Sequence, residues 1–364
     1  MLLSSLVLTN FRKHTNSNFR FSSGLNYIVG KNSVGKTSIL EAIYYLCSGR
    51  SIFAKDNEIV SFDKNHFEIE GIFNNKIENK VRVFFKADEN KKYYLLNGKQ
   101  VIKSSEIIGK FPLVTLTPED HQITQGSPAD RRKFFDSVIA QASKTYLDLL
   151  LDYNKILKHR AVILNHLFER ATPTLIDELE SWTENLINCG SQIIRFRKNF
   201  IKDFNLYLIE SYKSIMDSNE IPVIKYLTVS QENDFDEKDE MKKLLEKNRQ
   251  LEINRKLNLI GPHRDDYLFE INNINLRKFG SQGQNKTFQI TLKFAEFFYL
   301  KEIINDVPIF LMDDVFGELD SFRANRVSKF LKNLGQAFLT LTDFSNLNFL
   351  SKSENDLIIN LPIN

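Results

Sequence analysis

Apolar residues along this chain follow two different periods, and the change comes near Pro118. Ahead of it the runs are short and alternate, or stay apolar throughout, which is the strand pattern. Leu2 to Thr9 predicts a first strand, and Asn10, Phe11, Arg12, Lys13 and His14 predict a polar turn. A strand pair follows around Phe19 to Phe21 and Leu25 to Val29. Between Asn57 and Val101 the segments FEIEGIF, VRVFFK and YYLLNGKQVI read as strands, with Asn97-Gly98 as a hairpin turn.

Beyond Pro118 the texture becomes polar and turn-rich, with Gly126, Ser127 and Pro128 as breakers. Apolar residues then recur at Phe135, Ile139, Ala142, Tyr146, Leu150, Tyr153, Leu157, Leu164 and Phe168, which predicts one long helix. Thr172-Pro173 breaks it, and a second long pattern runs through Ile176, Leu186, Ile193, Phe204 and Tyr212. Together they predict an antiparallel helical hairpin whose stripe is core packing rather than a partner surface. Ile221 to Val229 predicts a strand, and residues 231–247 an exposed acidic-to-basic loop and helix start. Two buried strands close the chain, Ile309 to Met312 and Ala337 to Thr342, the last ending at Asp343.

Composition narrows this little. With 364 residues the chain has room for two domains or for one large domain with an insertion. Hydrophobic residues at 42% and charged residues at 26% fit a globular protein and exclude disorder as the main state. The net charge of +3, from 49 Lys plus Arg against 46 Asp plus Glu, makes any nucleic-acid surface a local patch. Cys47 and Cys189 lie far apart, with no metal-ligand spacing to the six histidines, and read as buried thiols in a reducing cytoplasm. The N-terminus lacks the basic and apolar blocks of a signal peptide, and no uncharged apolar run is long enough to span a membrane. A cytoplasmic protein is expected.

Chemistry concentrates first between Gly30 and Thr37. Gly30, Lys31, Asn32, Ser33, Val34, Gly35, Lys36 and Thr37 give G-x-x-x-x-G-K-T between a short strand and an amphipathic helix, the spacing of a phosphate-binding loop. Loop N–H groups and the helix dipole would receive phosphate oxygens, Lys36 would reach the β and γ phosphates, and the Thr37 hydroxyl would ligate Mg2+. The plainer alternative is a glycine-rich turn ahead of an ordinary helix.

A second concentration starts at Leu259. Gly280 to Gln284, GSQGQ, precedes a helix, so Ser281 and Gly283 stand where an anion could be received, although such a turn is also an ordinary helix cap. Ile309 to Met312 then ends in Asp313 and Asp314. That is the form of a Walker B strand, in which Asp313 would hold Mg2+ and Asp314 would polarise the attacking water.

The order of these motifs, with Glu318-Leu319-Asp320 after the second strand, is that of an ABC-type ATPase head. More narrowly, the chain resembles the RecF family of bacterial recombination mediators. The resemblance is carried by LTNFRKH, GKNSVGKTSILEAI, LCSGRSIF, TPEDHQITQGSPADRRKFFD, GPHRDDY, GSQGQNKT and FLMDDVFGELD, in that order. It implies an α/β fold: an ATPase lobe with a mixed sheet and an antiparallel β patch from 1–120 and 288–364, and a helical second lobe from 121–287 containing the signature motif. It implies ATP and Mg2+ at Gly30 to Thr37 and Asp313, and Asp314 where many such ATPases use Glu. Ser281, Gly283 and Gln284 would approach the γ-phosphate of ATP bound to a second subunit, with Glu318 to Asp320 crossing the same interface. Arg12 matches an arginine near phosphate in related heads, and Glu119, Asp120 or Gln122 would act from the linking loop.

The family further implies an ATP-dependent homodimer that binds gapped duplex DNA at single-strand/double-strand junctions and, with RecR and RecO, helps load RecA. ATP hydrolysis would be weak, DNA-dependent and used as a switch. Three departures stand out. Ser33 occupies a usual glycine position, Asn285 replaces a Gln or Arg and leaves Lys286 as the local cation, and Thr342 and Asp343 stand where transporter ATPases carry a histidine. The competing class is the ATP-hydrolysing subunit of a membrane transporter, which the missing histidine, the GSQGQ signature and the helical insertion argue against. A chromosome-organising coiled-coil head would need long sustained heptads between its halves. Basic candidates for DNA are Arg131, Arg132 and Lys133; Lys155, Lys158 and Arg160; and Arg195, Arg197 and Lys198.

Overall fold

The computed structural model describes residues 1–75, 77–216, 219–228, 236–342 and 353–362. In chain order the elements are β1 (Leu2–Phe11), β2 (His14–Arg20), β3 (Leu25–Val29), α1 (Lys36–Ser48), α2 (Asp56–Ile59), β4 (His66–Asn74), β5 (Glu78–Lys86), β6 (Lys91–Leu96), β7 (Lys99–Gln100) and β8 (Leu113–Leu116). They continue as α3 (His121–Gln125), α4 (Pro128–Ala142), α5 (Lys144–Glu169), α6 (Pro173–Ile215), β9 (Pro222–Leu227), α7 (Glu237–Arg255), β10 (Asp266–Ile271), β11 (Ile274–Asn275), α8 (Leu276–Phe279), α9 (Gln282–Ile304), β12 (Ile309–Asp313), α10 (Ser321–Leu331), β13 (Ala337–Leu341) and β14 (Leu357–Asn360). The chain divides into two compact units, one of 1–120, 210–219 and 287–364, the other of 121–209 and 220–286.

Two sheets build the first unit. An antiparallel sheet has the order β2-β1-β4-β5-β6-β7, and a parallel one the order β14-β3-β13-β12-β8. Strands β4 and β5 alternate along their length: Phe67, Ile69 and Phe73, with Val81, Val83 and Phe85, face the core, while Glu68 and Glu70 face outward with Arg82 and Lys80. Strands β12 and β13 are buried at every residue, as expected for a parallel sheet covered on both faces. Helix α1 supplies Ile39, Ile43, Leu46 and Tyr45 to one core shared with Leu6, Phe67, Leu311 and Phe338. The hairpin at Asn97-Gly98 is as expected: both residues have positive φ, 51° and 78°, which a two-residue turn of this hand requires.

The second unit is helical around a three-stranded sheet of order β11-β10-β9. The single helix expected from Phe135 to Phe168 is two, α4 and α5. They are separated by Ser143, whose extended backbone (φ −139°, ψ 110°) and side-chain bond from the Tyr146 N–H cap the second one. Helix α6 runs unbroken for 43 residues. The strand expected to reach Val229 ends at Leu227, and 229–235 and Asp343 lie outside the described residues.

Several candidate DNA-binding residues prove to be internal struts of this unit. Arg197, with 2% of its side chain exposed, donates to both Asp136 oxygens at 2.9 and 3.0 Å, to the Pro262 carbonyl at 2.7 Å and to the Tyr146 hydroxyl at 3.0 Å. Arg160 is bound to Glu252 at 2.8 Å and Asn258 at 2.5 Å. Arg131 clasps Asp266 with two bonds of 2.7 and 3.0 Å, and Arg132 donates to the Asp265 carbonyl at 2.5 Å. On the surface, Lys155 pairs with Asp152, Arg195 with Asp236 and Glu237, and Lys198 with Glu237. Arg131, Arg160 and Arg197 therefore do not present the basic faces expected of them, and Lys155 and Arg195 are exposed but ion-paired, whereas Lys133 and Lys158 are exposed with no ion pair among the described residues.

The GPHRDDY segment is part of the same network. His263 donates from Nε2 to the Asn258 carbonyl at 3.0 Å, and its Nδ1 lies 2.7 Å from the Tyr153 hydroxyl, which donates to it when the ring is neutral. Gly261, at φ 131°, passes so close to Tyr153 that a Cβ would sit 2.3 Å from its hydroxyl.

Two outcomes are expected. Arg197→Met removes the cation from the Asp136 carboxylate and from that of Asp265, 3.6 Å away, and should destabilise the protein by about 3–5 kcal/mol in denaturant titration. Burial lowers the His263 pKa to about 4, below its unfolded value, so the unfolded chain binds the extra proton between these limits. Stability should fall as pH drops from about 6.5 towards 4, and His263→Gln should flatten that part of the profile.

Candidate nucleotide site

Strand β3 delivers the chain to Gly30, whose N–H donates to the Leu341 carbonyl at 3.2 Å, so the loop departs from the carboxyl end of a central parallel strand. Gly30 sits in a tight cradle, since a Cβ there would lie 2.8 Å from Val34 Cγ2 and force that side chain to shift. Gly35 has φ 103° and begins α1. Between them Ser33 holds φ 67°, the left-handed conformation in which glycine carries no steric penalty. The usual glycine position is thus a strained position here.

Lys36 is buried with 7% exposure, and its Nζ folds back to donate to the carbonyls of Gly30 at 2.7 Å and Lys31 at 3.1 Å. Burial lowers its pKa, while Asp314 and Asp313 oppose that shift. The Thr37 hydroxyl donates to Asp313 Oδ1 at 3.0 Å, a contact between residues 276 apart in sequence. The same oxygen accepts from the Thr340 hydroxyl at 2.6 Å, and Thr340 Oγ1 accepts from the Asp314 N–H at 2.9 Å. Asp313 is 8% exposed, and its pKa is raised by burial against the two threonine bonds, with Asp314 and Glu119 adding negative field.

Thr340 is a site residue that motif reading missed. Its only signal is a hydroxyl at the middle of an apolar strand, AFLTL, and its importance follows from β13 lying between β3 and β12.

The residues near the loop are also placed. Arg12 (φ 55°) forms two bonds of 2.8 Å to the carboxylate of Glu41 on α1, which raise its pKa and hold the guanidinium there. Asp120 accepts from the Thr117 N–H at 2.7 Å and pairs at 3.1 Å with Lys293, which is 5% exposed. Gln122 lies in α3 of the second unit. Asp320 caps α10, accepting from the Arg323 N–H at 2.9 Å, and Arg323 donates to Thr287 at 2.8 Å.

The structure brings the loop, Thr37, Asp313 and Asp314 together within the first unit; Ser281, Gly283 and Gln284 belong to the second. There Ser281 Oγ accepts from the Gln284 N–H at 3.1 Å while Gln284 Oε1 accepts from the Ser281 N–H at 3.0 Å, a reciprocal cap at the start of α9. Asn285 secures the turn, donating to the Gly280 and Ser281 carbonyls at 3.2 and 3.0 Å and accepting from Gln125 at 2.5 Å. Among the described residues no helix is long and apolar enough to cross a membrane.

The glycine cradle, the lysine at the helix start and a threonine beside a buried, destabilised carboxylate fit a nucleoside triphosphate with a divalent cation. The chain matches the RecF/RecN/SMC N terminal domain over residues 2–354. It is 41% identical, over 94% of its length and 95% of the relative's, to the DNA replication and repair protein RecF of Chloroherpeton thalassium. Two solved structures of the recombination mediator protein RecF in the RecFOR pathway superpose closely. The one named RecF-ATPrS has a TM-score of 0.90 at 32% identity, with 99% of this chain and 96% of that one covered. The one named RecF-ATP has a TM-score of 0.86 at 33% identity, covering 94% and 92%.

Replacing Ser33 by Gly should relieve the left-handed backbone and stabilise the protein by up to about 1 kcal/mol, whereas Ser33→Val should destabilise it by more. Chemical denaturation without nucleotide measures both, and equal midpoints for the three proteins would show that φ at 33 carries no strain.

Proposed function

Because the chain belongs to the RecF family, within the RecF/RecN/SMC N-terminal-domain group and with its ABC-type ATPase-head fold, we propose that it serves DNA repair as an ATP-dependent DNA-binding switch. The observation that carries this is the Thr37–Asp313 bond of 3.0 Å, which closes the phosphate-binding loop onto the Walker B carboxylate. ATP comes to this chain from the named ATP-bound relative and from the fit of the loop.

In this reading the N–H groups from Lys31 to Thr37 bind the triphosphate, and Lys36 exchanges its two carbonyl partners for phosphate oxygens. Thr37 and Asp313 hold Mg2+, which when bound neutralises charge on the phosphates. Asp314, exposed beside Asp313, orients the attacking water. Ser281, Gly283 and Gln284 of one copy face the γ-phosphate on another, so nucleotide state sets dimer state through a shared ligand. The clamp opens once that phosphate is lost. Asp314 in place of Glu suits slow turnover, and a switch needs no more.

The closed homodimer then binds gapped duplex DNA at single-strand/double-strand junctions in the cytoplasm and, with RecR and RecO, assists RecA loading. Among the basic residues considered, Lys133 and Lys158 remain as phosphate-contact candidates, giving salt-dependent and weakly sequence-selective binding. The transporter alternative lacks a supporting observation.

Sedimentation with ATP, ADP or no nucleotide, with and without gapped duplex DNA, tests the reading. Lys36→Ala should lose ATP binding and dimerisation together. Ser281→Arg should keep ATP binding and lose only the dimer. Asp314→Asn should accumulate as an ATP-bound dimer on DNA, and finding it monomeric at saturating ATP would sink the sandwich mechanism.

A further inference from the structure

The turn between β1 and β2 grips the phosphate-binding loop from outside through two side chains. Lys13 Nζ donates to the Ser33 carbonyl at 2.6 Å. His14, expected in a polar turn, is 7% exposed and lies with Nε2 3.1 Å from the Gly35 carbonyl and Nδ1 3.0 Å from Ser17 Oγ. A carbonyl can only accept, so Nε2 carries the proton and Nδ1 accepts from Ser17. Phe19 meets the imidazole edge-on at 5.8 Å. Burial keeps the His14 pKa below the ordinary imidazole value, so the ring donates without adding charge.

Peptide geometry turns these outside contacts into an inside effect. In a trans peptide the carbonyl and the N–H of the next residue point in opposite directions. Drawing the Ser33 carbonyl to Lys13 therefore turns the Val34 N–H away from the hairpin, and drawing the Gly35 carbonyl to His14 does the same to the Lys36 N–H. Left-handed residues at 33 (φ 67°) and 35 (φ 103°) on either side of Val34 form the kind of backbone nest whose N–H groups converge on an anion. Such a loop is costly to hold alone. The fit is close: a Cβ on Gly35 would lie 2.7 Å from His14 Nε2.

We propose that Lys13 and His14 are positioning residues that fix the peptide planes of the phosphate-binding loop in the anion-receiving orientation before the ligand arrives. The inference rests on the reading of this loop as the ATP phosphate site. It assigns a role to the LTNFRKH turn that Arg12, committed to Glu41, does not fill.

Calorimetric titration of the full chain with ATP and with inorganic tripolyphosphate tests it, using Lys13→Met, His14→Phe, His14→Gln and Phe19→Leu. Loss of one orienting bond should weaken both ligands about tenfold in His14→Phe and about threefold in Lys13→Met. His14→Gln, which restores an N–H donor, should recover most of the loss. Phe19→Leu loosens the packing but touches no loop carbonyl, so it should lower the thermal midpoint at unchanged affinity. Wild-type affinity in both His14→Phe and Lys13→Met would overturn the proposal, as would a loss in Phe19→Leu equal to that in His14→Phe. Lys13 is exposed, so its variant carries the test should the His14 variant not fold. A wild-type protein that binds neither ligand would instead remove the nucleotide reading itself, and this inference with it.

Discussion

One carboxylate oxygen organises the first unit. Asp313 Oδ1 accepts from Thr37 at the start of α1 and from Thr340 in the middle of β13, which joins the phosphate-binding loop, the central strand and the Walker B strand at a single atom. Parallel order makes this possible, because β13 lies between β3 and β12 with Asp313 in register with Thr340. The cost is a buried negative charge. Two hydroxyl donors offset part of it, yet burial still prevails and raises the Asp313 pKa. A carboxylate whose charged form is disfavoured by burial is one that a cation would relieve, so the energetics of the fold and of ion binding point the same way.

The second unit solves a related problem differently. Arg131, Arg160 and Arg197 are each less than 4% exposed and each is met by a carboxylate with further hydrogen-bond partners. Buried pairs of this kind add little net stability over apolar packing, but breaking one leaves an uncompensated charge. Their effect is to fix register among α4, α5, α6 and the loop ahead of β10. It also moves the search for DNA contacts away from the runs of Arg and Lys that first suggest them.

Much of the candidate nucleotide site is legible in the sequence because its cues are local. The spacing from Gly30 to Thr37, the apolar run before Asp313 and the Asn97-Gly98 turn each depend on neighbours a few residues away. The rest depends on distant partners. Arg197 meets Asp136 across 61 residues, Arg160 meets Glu252 across 92, and Arg131 meets Asp266 across 135. A run of basic residues looks the same whether it faces water or a buried carboxylate. Ser143 likewise leaves the apolar period intact while its side chain caps a new helix. His14 reads as polar from its neighbours, and only the packing of β2 against the loop shows it to be buried.

Asp314 shows how local strain places a second charge. Successive side chains on a strand point to opposite faces, so an extended backbone would send Asp314 away from Asp313. Asp314 instead has φ 46°, and its N–H is held by Thr340 Oγ1 at 2.9 Å. The chain thus leaves the strand in a left-handed turn at Asp314, and both carboxylates act on the Lys36 ammonium. A non-glycine residue in this conformation persists only where its surroundings over-determine it. Here Thr340 does so, bonded to Asp313 on one side and to the Asp314 backbone on the other. The two carboxylates are therefore set by one hydroxyl, and their spacing is a property of β13 as much as of the strand that carries them.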